Sequence, residues 1–269
     1  MKPTFFNLSL FALIVCIAAS CAKKSTDTGE TTEKDTIVTT TVYNLVILDR
    51  SGSMAPLREV ALEGYNQTLQ VIRDAQEKYS LEQQNLVSLV MFNHEVTSRY
   101  DCDTITNLPD LVLKDYQPAG MTALYDAIGI SLTKLKLQLD SLDNAVAVVT
   151  IISDGCENSS KSYSLEDCVN LIEQLKEMGC TIAFNGADSY GRTYKGKSFA
   201  EYMAHELHID HYNAFEFSVE GMEDAWRKNL DASSSYYGRI HETYEDTKNM
   251  SKEERRQYRR DLDKQGYYQ

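Results

Sequence analysis

The chain has 269 residues, 42% of them hydrophobic and 25% charged, with 13 Gly and 4 Pro. That balance excludes collagen-like, Pro-rich and wholly disordered chains, and the length fits one large domain with extensions. A formal charge of −13, from 27 Lys+Arg against 40 Asp+Glu, repels polyphosphate chains, so nucleic-acid binding is not expected. No apolar run reaches the roughly 20 residues that span a bilayer.

Residues 1–21 read as a targeting segment. Lys2 gives the positive end, Leu10 to Ala19 is unbroken apolar sequence, and Ala18-Ala19-Ser20 precede Cys21. A cysteine directly after small residues resembles a bacterial lipoprotein signal, which implies lipidation of Cys21 as the mature N-terminus. Ala18 stands where that signal usually carries Leu. The alternative, a plain secretory signal with an incidental cysteine, also exports the chain. Lipidation would anchor it at the bacterial cell envelope, on the outer membrane or cell surface, or on a periplasmic leaflet. Residues 22–41 are rich in Thr and charge with no aromatic residue, the composition of a tether.

From Val42 the pattern changes. Residues 41–49 and 85–92 are near-continuous apolar runs, as in strands buried on both faces of a parallel sheet. Between them Leu62, Tyr65, Leu69 and Ile72 recur at helical spacing. A turn at Asn93-His94 leads to a third strand, Val96 to Cys102. Thr122 to Asp140 is a helix, and residues 145–153 form the most apolar strand, expected at the centre. Ser164 and Asp167 make a capping box for the next helix. A strand at 181–185, a helix from Phe199 to His208, a strand at 213–218 and a helix from Gly221 to Asp231 follow. This alternation predicts an α/β fold, a doubly wound and mostly parallel central sheet flanked by helices, over 42–232. Beyond Ala232 the apolar periodicity stops, and 233–269 reads as a charged, Tyr-containing tail.

The chemistry gathers at strand ends. The first strand closes in Asp49-Arg50-Ser51-Gly52-Ser53, and the central one in Ser153-Asp154-Gly155. Thr122 opens the intervening helix. In a doubly wound sheet ligands bind at the carboxyl edge of the strands, so Asp49, Ser51, Ser53, Thr122 and Asp154 are expected at one place. Oxygen donors with few carboxylates and no His or Cys suit a hard cation: Mg²⁺ first, Mn²⁺ or Ca²⁺ as alternatives.

Asp49-x-Ser51-x-Ser53, then Thr122, then Asp154-Gly155 resembles the metal-ion-dependent adhesion site of von Willebrand factor type A domains. The phrases DRSGSM, GMTALYDAIG and ISDGCENSS resemble a bacterial branch of that family. The resemblance implies a non-enzymatic module in which Ser51, Ser53 and Thr122 offer hydroxyls to the cation. Asp49 and Asp154 act through water or directly, and a partner protein supplies an Asp or Glu carboxylate. Two other readings remain: an accessory subunit of an envelope enzyme or secretion complex, and a metal-dependent hydrolase.

Other signals are weaker. Gly191 to Ser198 matches the phosphate-loop pattern, but it starts about five residues after its strand and lacks a following Asp-ended strand, so no nucleotide is expected. His205, His208 and His211 miss the zinc-helix spacing. Among Cys102, Cys156, Cys168 and Cys180, a Cys156–Cys168 disulfide is feasible; four free core thiols is the other reading.

Overall fold

In the computed structural model, residues 39–188 and 193–268 are described. Cys21, the targeting segment and the tether up to Val38 lie outside the described residues, as do Gly191 and Arg192 of the phosphate-loop pattern.

Six strands form one sheet: β1 (Thr40–Asp49), β2 (Gln83–Phe92), β3 (Val96–Thr104), β4 (Ala145–Ser153), β5 (Thr181–Asp188) and β6 (His211–Glu216). Their order is β3-β2-β1-β4-β5-β6. All neighbours are parallel except β2 and β3, a hairpin turned at 93–95. The chain works outward from β1 to one edge, then returns to β4 on its other side. The crevice between β1 and β4 is therefore the switch point, where loops leave in opposite directions and open a site.

Alternate residues of β1 feed two cores. Val42, Val46 and Leu48 pack with α1 (Arg58–Lys78) and α5 (Val219–Glu242). Tyr43, Leu45 and Ile47 pack with α2 (Leu124–Asp140), α3 (Leu165–Glu177) and α4 (Phe199–Glu206). Both faces are covered, which is why the strand reads as an unbroken apolar run rather than an alternating one. The capping box at Ser164 and Asp167 forms as the sequence predicts. A 3-10 turn over Gly52–Leu57 links β1 to α1.

Several boundaries move for local reasons. The strand expected at 213–218 spans His211–Glu216, because the Ser218 hydroxyl accepts from the Gly221 N–H and caps α5. Helix α4 stops at Glu206 and the chain turns at His208, whose φ is +57°.

The largest correction concerns the end of the chain. The domain does not close at Ala232: α5 runs unbroken to Glu242, and α6 (Tyr244–Thr247) and α7 (Lys252–Asp263) cross the amino-terminal end of the sheet. Tyr267 is 1% exposed, its hydroxyl 2.9 Å from Ser233 Oγ. Arg259 donates to the Ala145 carbonyl at 2.7 Å and to Asn144 Oδ1 at 2.9 Å. Asp263 accepts from Thr181 Oγ1 and pairs with His211 at 3.0 Å. Polar side chains bound to strand-end carbonyls hold this segment, so its burial leaves no apolar stripe to read.

The four described cysteines are free, and the feasible Cys156–Cys168 bond is absent. Cys168 is buried, its thiol directed at the Tyr125 carbonyl 3.3 Å away.

Candidate metal centre

The carboxyl ends of β1 and β4 bring four of the five expected residues into hydrogen-bonded groups. Asp49, fully buried, accepts from the Ser51 N–H at 2.7 Å and from the Ser153 hydroxyl at 2.6 Å. Ser51 Oγ lies 3.0 Å from Ser53 Oγ, and the Ser53 hydroxyl donates to Asp154 Oδ1 at 2.9 Å. The Thr122 hydroxyl is the member without such a bond to the other four. It stands beside the Asp154–Gly155 turn, where a Cβ added to Gly155 would meet Thr122 Oγ1 at 3.7 Å. Asp49, Ser51, Thr122 and Asp154 are buried, while Ser53, Gly52, Gly120 and Met121 face solvent. The site is thus a floor of buried oxygens opening through one serine.

Backbone bonds fix the three loops. The Gly52 N–H donates to the Gly120 carbonyl at 3.0 Å, and the Ala119 N–H to the Arg50 carbonyl at 2.8 Å. Gly120 takes a φ of +81°, and the His94 ring occupies the space a Cβ would need there. The Tyr116 hydroxyl donates to the Asp49 carbonyl from a buried position. Ser153, Tyr116 and Asn93, whose side-chain amide donates to the Ala119 carbonyl at 2.7 Å, went unrecognised in the sequence. Ser153 alone carried a signal, as the polar residue closing an apolar strand.

The electrostatics fit a cation. Burial pushes the Asp49 carboxyl up to about 6, against the opposing hydrogen bonds from Ser153 and Ser51. Burial also raises Asp154. Neither carboxylate has an ion-pair partner among the described residues. Two buried carboxylates this close together, with only hydroxyls and N–H groups around them, are the kind of charge that a bound cation offsets. The all-oxygen donor set matches Mg²⁺ rather than Zn²⁺.

The other histidines and the loop near 195 are engaged elsewhere. His208 contacts Glu173 at 2.7 Å, and Lys176 pairs with Asp210. Tyr194 and Lys197 close a tight hairpin, and Lys197 pairs with Glu201 at 3.2 Å.

The six-stranded sheet with one antiparallel edge strand and helices on both faces is the architecture expected of a von Willebrand factor type A domain. Among solved structures, the chain is similar to the pilus adhesin SpaC of Lactobacillus rhamnosus GG, with 14% identity and a TM-score of 0.53 over 74% of this chain and 30% of that one. It is similar to the PilB minor pilin of Streptococcus sanguinis at 10% identity and a TM-score of 0.50, over 74% and 62% of the two chains. A von Willebrand factor type A protein of Catenulispora acidiphila aligns at 13% identity and a TM-score of 0.49, over 73% and 43%. This chain spans less than two thirds of each of these three, and the likeness is one of fold. No protein-family model and no curated protein matches the chain.

Proposed function

We propose that the domain is a divalent-cation-dependent protein-binding module, held at the bacterial envelope by lipid on Cys21. The observation that carries this reading is the buried oxygen cluster: Asp49 bonded to Ser153, and Ser51, Ser53 and Asp154 in one chain beside Thr122. Ser51, Ser53 and Thr122 would hold the cation by their hydroxyls, with Asp49 and Asp154 directly or through water. When bound, Mg²⁺ supplies a Lewis-acidic position that a partner's Asp or Glu carboxylate can complete.

The protein's own groups do the rest. Ser153 and the Ser51 N–H orient Asp49, and Ser53 orients Asp154. Both carboxylates are committed to the cation, so the site is one of binding rather than acid–base turnover. Exposed Ser53 and Met121, the latter 56% exposed, form the rim a partner would cover. That SpaC is a pilus adhesin and PilB a minor pilin supports a binding role at a cell surface.

Binding partners can be sought by passing an envelope extract over the immobilised protein in Mg²⁺. A protein retained in Mg²⁺, released by chelator and not retained by Asp49→Asn supports the reading. Retention indifferent to chelator contradicts it.

A further inference from the structure

Helix α2 begins without a cap of its own. Its N-cap residue is Ala123, which has no side-chain oxygen to offer the first turn. The free N–H groups are taken instead by the loop after β4. Glu157 Oε2 accepts from the Tyr125 N–H at 3.0 Å, and Ser160 Oγ from the Asp126 N–H at 2.9 Å. Two residues before the helix, Asn158 and Thr122 exchange two bonds: Asn158 Oδ1 accepts from the Thr122 N–H at 2.9 Å, and the Asn158 N–H donates to the Thr122 carbonyl at 3.0 Å.

The traffic also runs the other way. Asp126 accepts from the N–H groups of Lys161, Ser162 and Tyr163 at 2.8–2.9 Å. Glu157 also gathers its own loop, accepting from the N–H groups of Ser159 and Ser160 and from the Ser160 hydroxyl, each at 2.6 Å. A local Ser or Asp at position 123 would cap α2 as well. Capping from the β4–α3 loop does something more, since that loop starts at Asp154 and the capped segment starts at Thr122. The bonds that complete the helix also set the distance between two candidate cation ligands.

We propose that Glu157 and Asn158 are positioning residues of the cation site, joining the Thr122 loop and the Asp154 loop into one rigid half that is in place before a cation arrives. The proposal rests on the metal reading above. Neither side chain is a ligand: Asn158 acts through the backbone of Thr122, which is, and Glu157 through the first turn of the helix that follows Thr122. Residues that orient metal ligands in this way typically change affinity about 10–100-fold when removed.

The test uses the chain from Ala22 to Gln269 with Asn158→Ala, Asn158→Asp, Glu157→Ala and Asp154→Ala. Mg²⁺ affinity is measured by calorimetry, and amide exchange of Thr122, Tyr125 and Asp126 in Mg²⁺-free buffer. Asn158 is exposed, so its variants test the proposal even if Glu157→Ala fails to fold. The expected result is Mg²⁺ binding about tenfold weaker in Asn158→Ala and up to about 100-fold weaker in Glu157→Ala. Asn158→Asp, which keeps the acceptor for the Thr122 N–H, restores affinity to within about threefold of the parent. Exchange at Thr122 quickens in Asn158→Ala, and exchange at Tyr125 in Glu157→Ala, before any cation is added. If parent and Asn158→Ala bind Mg²⁺ equally while Asp154→Ala does not, the metal reading stands and this proposal falls. If the parent takes up no Mg²⁺, the metal reading falls and the positioning role with it.

Discussion

Asp49 concentrates the chemistry of the site in one side chain. Its carboxylate is fully buried and satisfied on both oxygens, by the Ser51 N–H and the Ser153 hydroxyl, yet it has no cationic side chain beside it. With its folded value near 6 and its ordinary value at 3.8, the ionised form opposes folding above pH 6. Asparagine matches the shape and can accept from Ser51 while donating to Ser153, whose hydroxyl can turn to accept. Asp49→Asn should therefore be at least as stable as the parent at pH 7.5 without metal, by urea unfolding, while losing Mg²⁺-induced stabilisation. A loss of more than about 2 kcal/mol in the metal-free variant would mark Asp49 as a structural residue. Cysteine chemistry gives a second residue-scale prediction. Cys168 and Cys180 are buried, and burial pushes both thiols up to about 12, so neither should react with a thiol reagent until the domain unfolds. With no disulfide among the described residues, reductant should leave the melting temperature of the domain unchanged.

At the scale of elements, two helix contacts decide stability. Helices α1 and α5 meet where Gly64 lies against the Trp226 ring, and a Cβ at Gly64 would come within 2.2 Å of it. Gly64→Ala should cost on the order of 1–3 kcal/mol in urea unfolding, through overpacking that outweighs alanine's better helix propensity. Helix α7 approaches the turn after α3 in the same close manner. Gly179 there has a φ of +81°, and a Cβ would stand 2.9 Å from that of Arg259. At the chain's end, Tyr267→Ala removes a buried ring and should cost about 3–5 kcal/mol. Deletion of 244–269 should lower the melting temperature by ten degrees or more, whereas a shift of a degree or two would show that the segment does not pack.

Across the whole molecule, the sheet and the convergence of the five candidate residues at its edge were legible and the closing segment was not, for one physical reason. Strands β1, β2 and β4 are covered on both faces, so their carboxyl-terminal halves are almost wholly apolar, and the residues that break the run at the strand ends stand out. Asp49 and Asp154 are visible because they interrupt such runs. Burial in α7 is achieved differently. Arg255 and Arg259 turn inward at helical spacing and bond to backbone carbonyls: Arg255 to those of Met250 and Asp143, Arg259 to that of Ala145. Arginine stems fill space as leucine would, but in a sequence they read as a solvated face. Asn44 shows the same effect inside β1, a polar residue buried because Asn85 and the Tyr237 hydroxyl meet it. Side chains that act through a distant backbone, as Glu157 and Asn158 do on α2, leave no spacing to recognise.

The proposed function depends on a divalent cation at the carboxyl edge of β1 and β4. Its most direct test is a calorimetric Mg²⁺ titration of residues 22–269 beside Asp154→Ala, at a temperature where both are folded. Saturable binding at one site per chain is expected in the parent, and none in the variant. Equal binding by the two, or none by the parent, would contradict it.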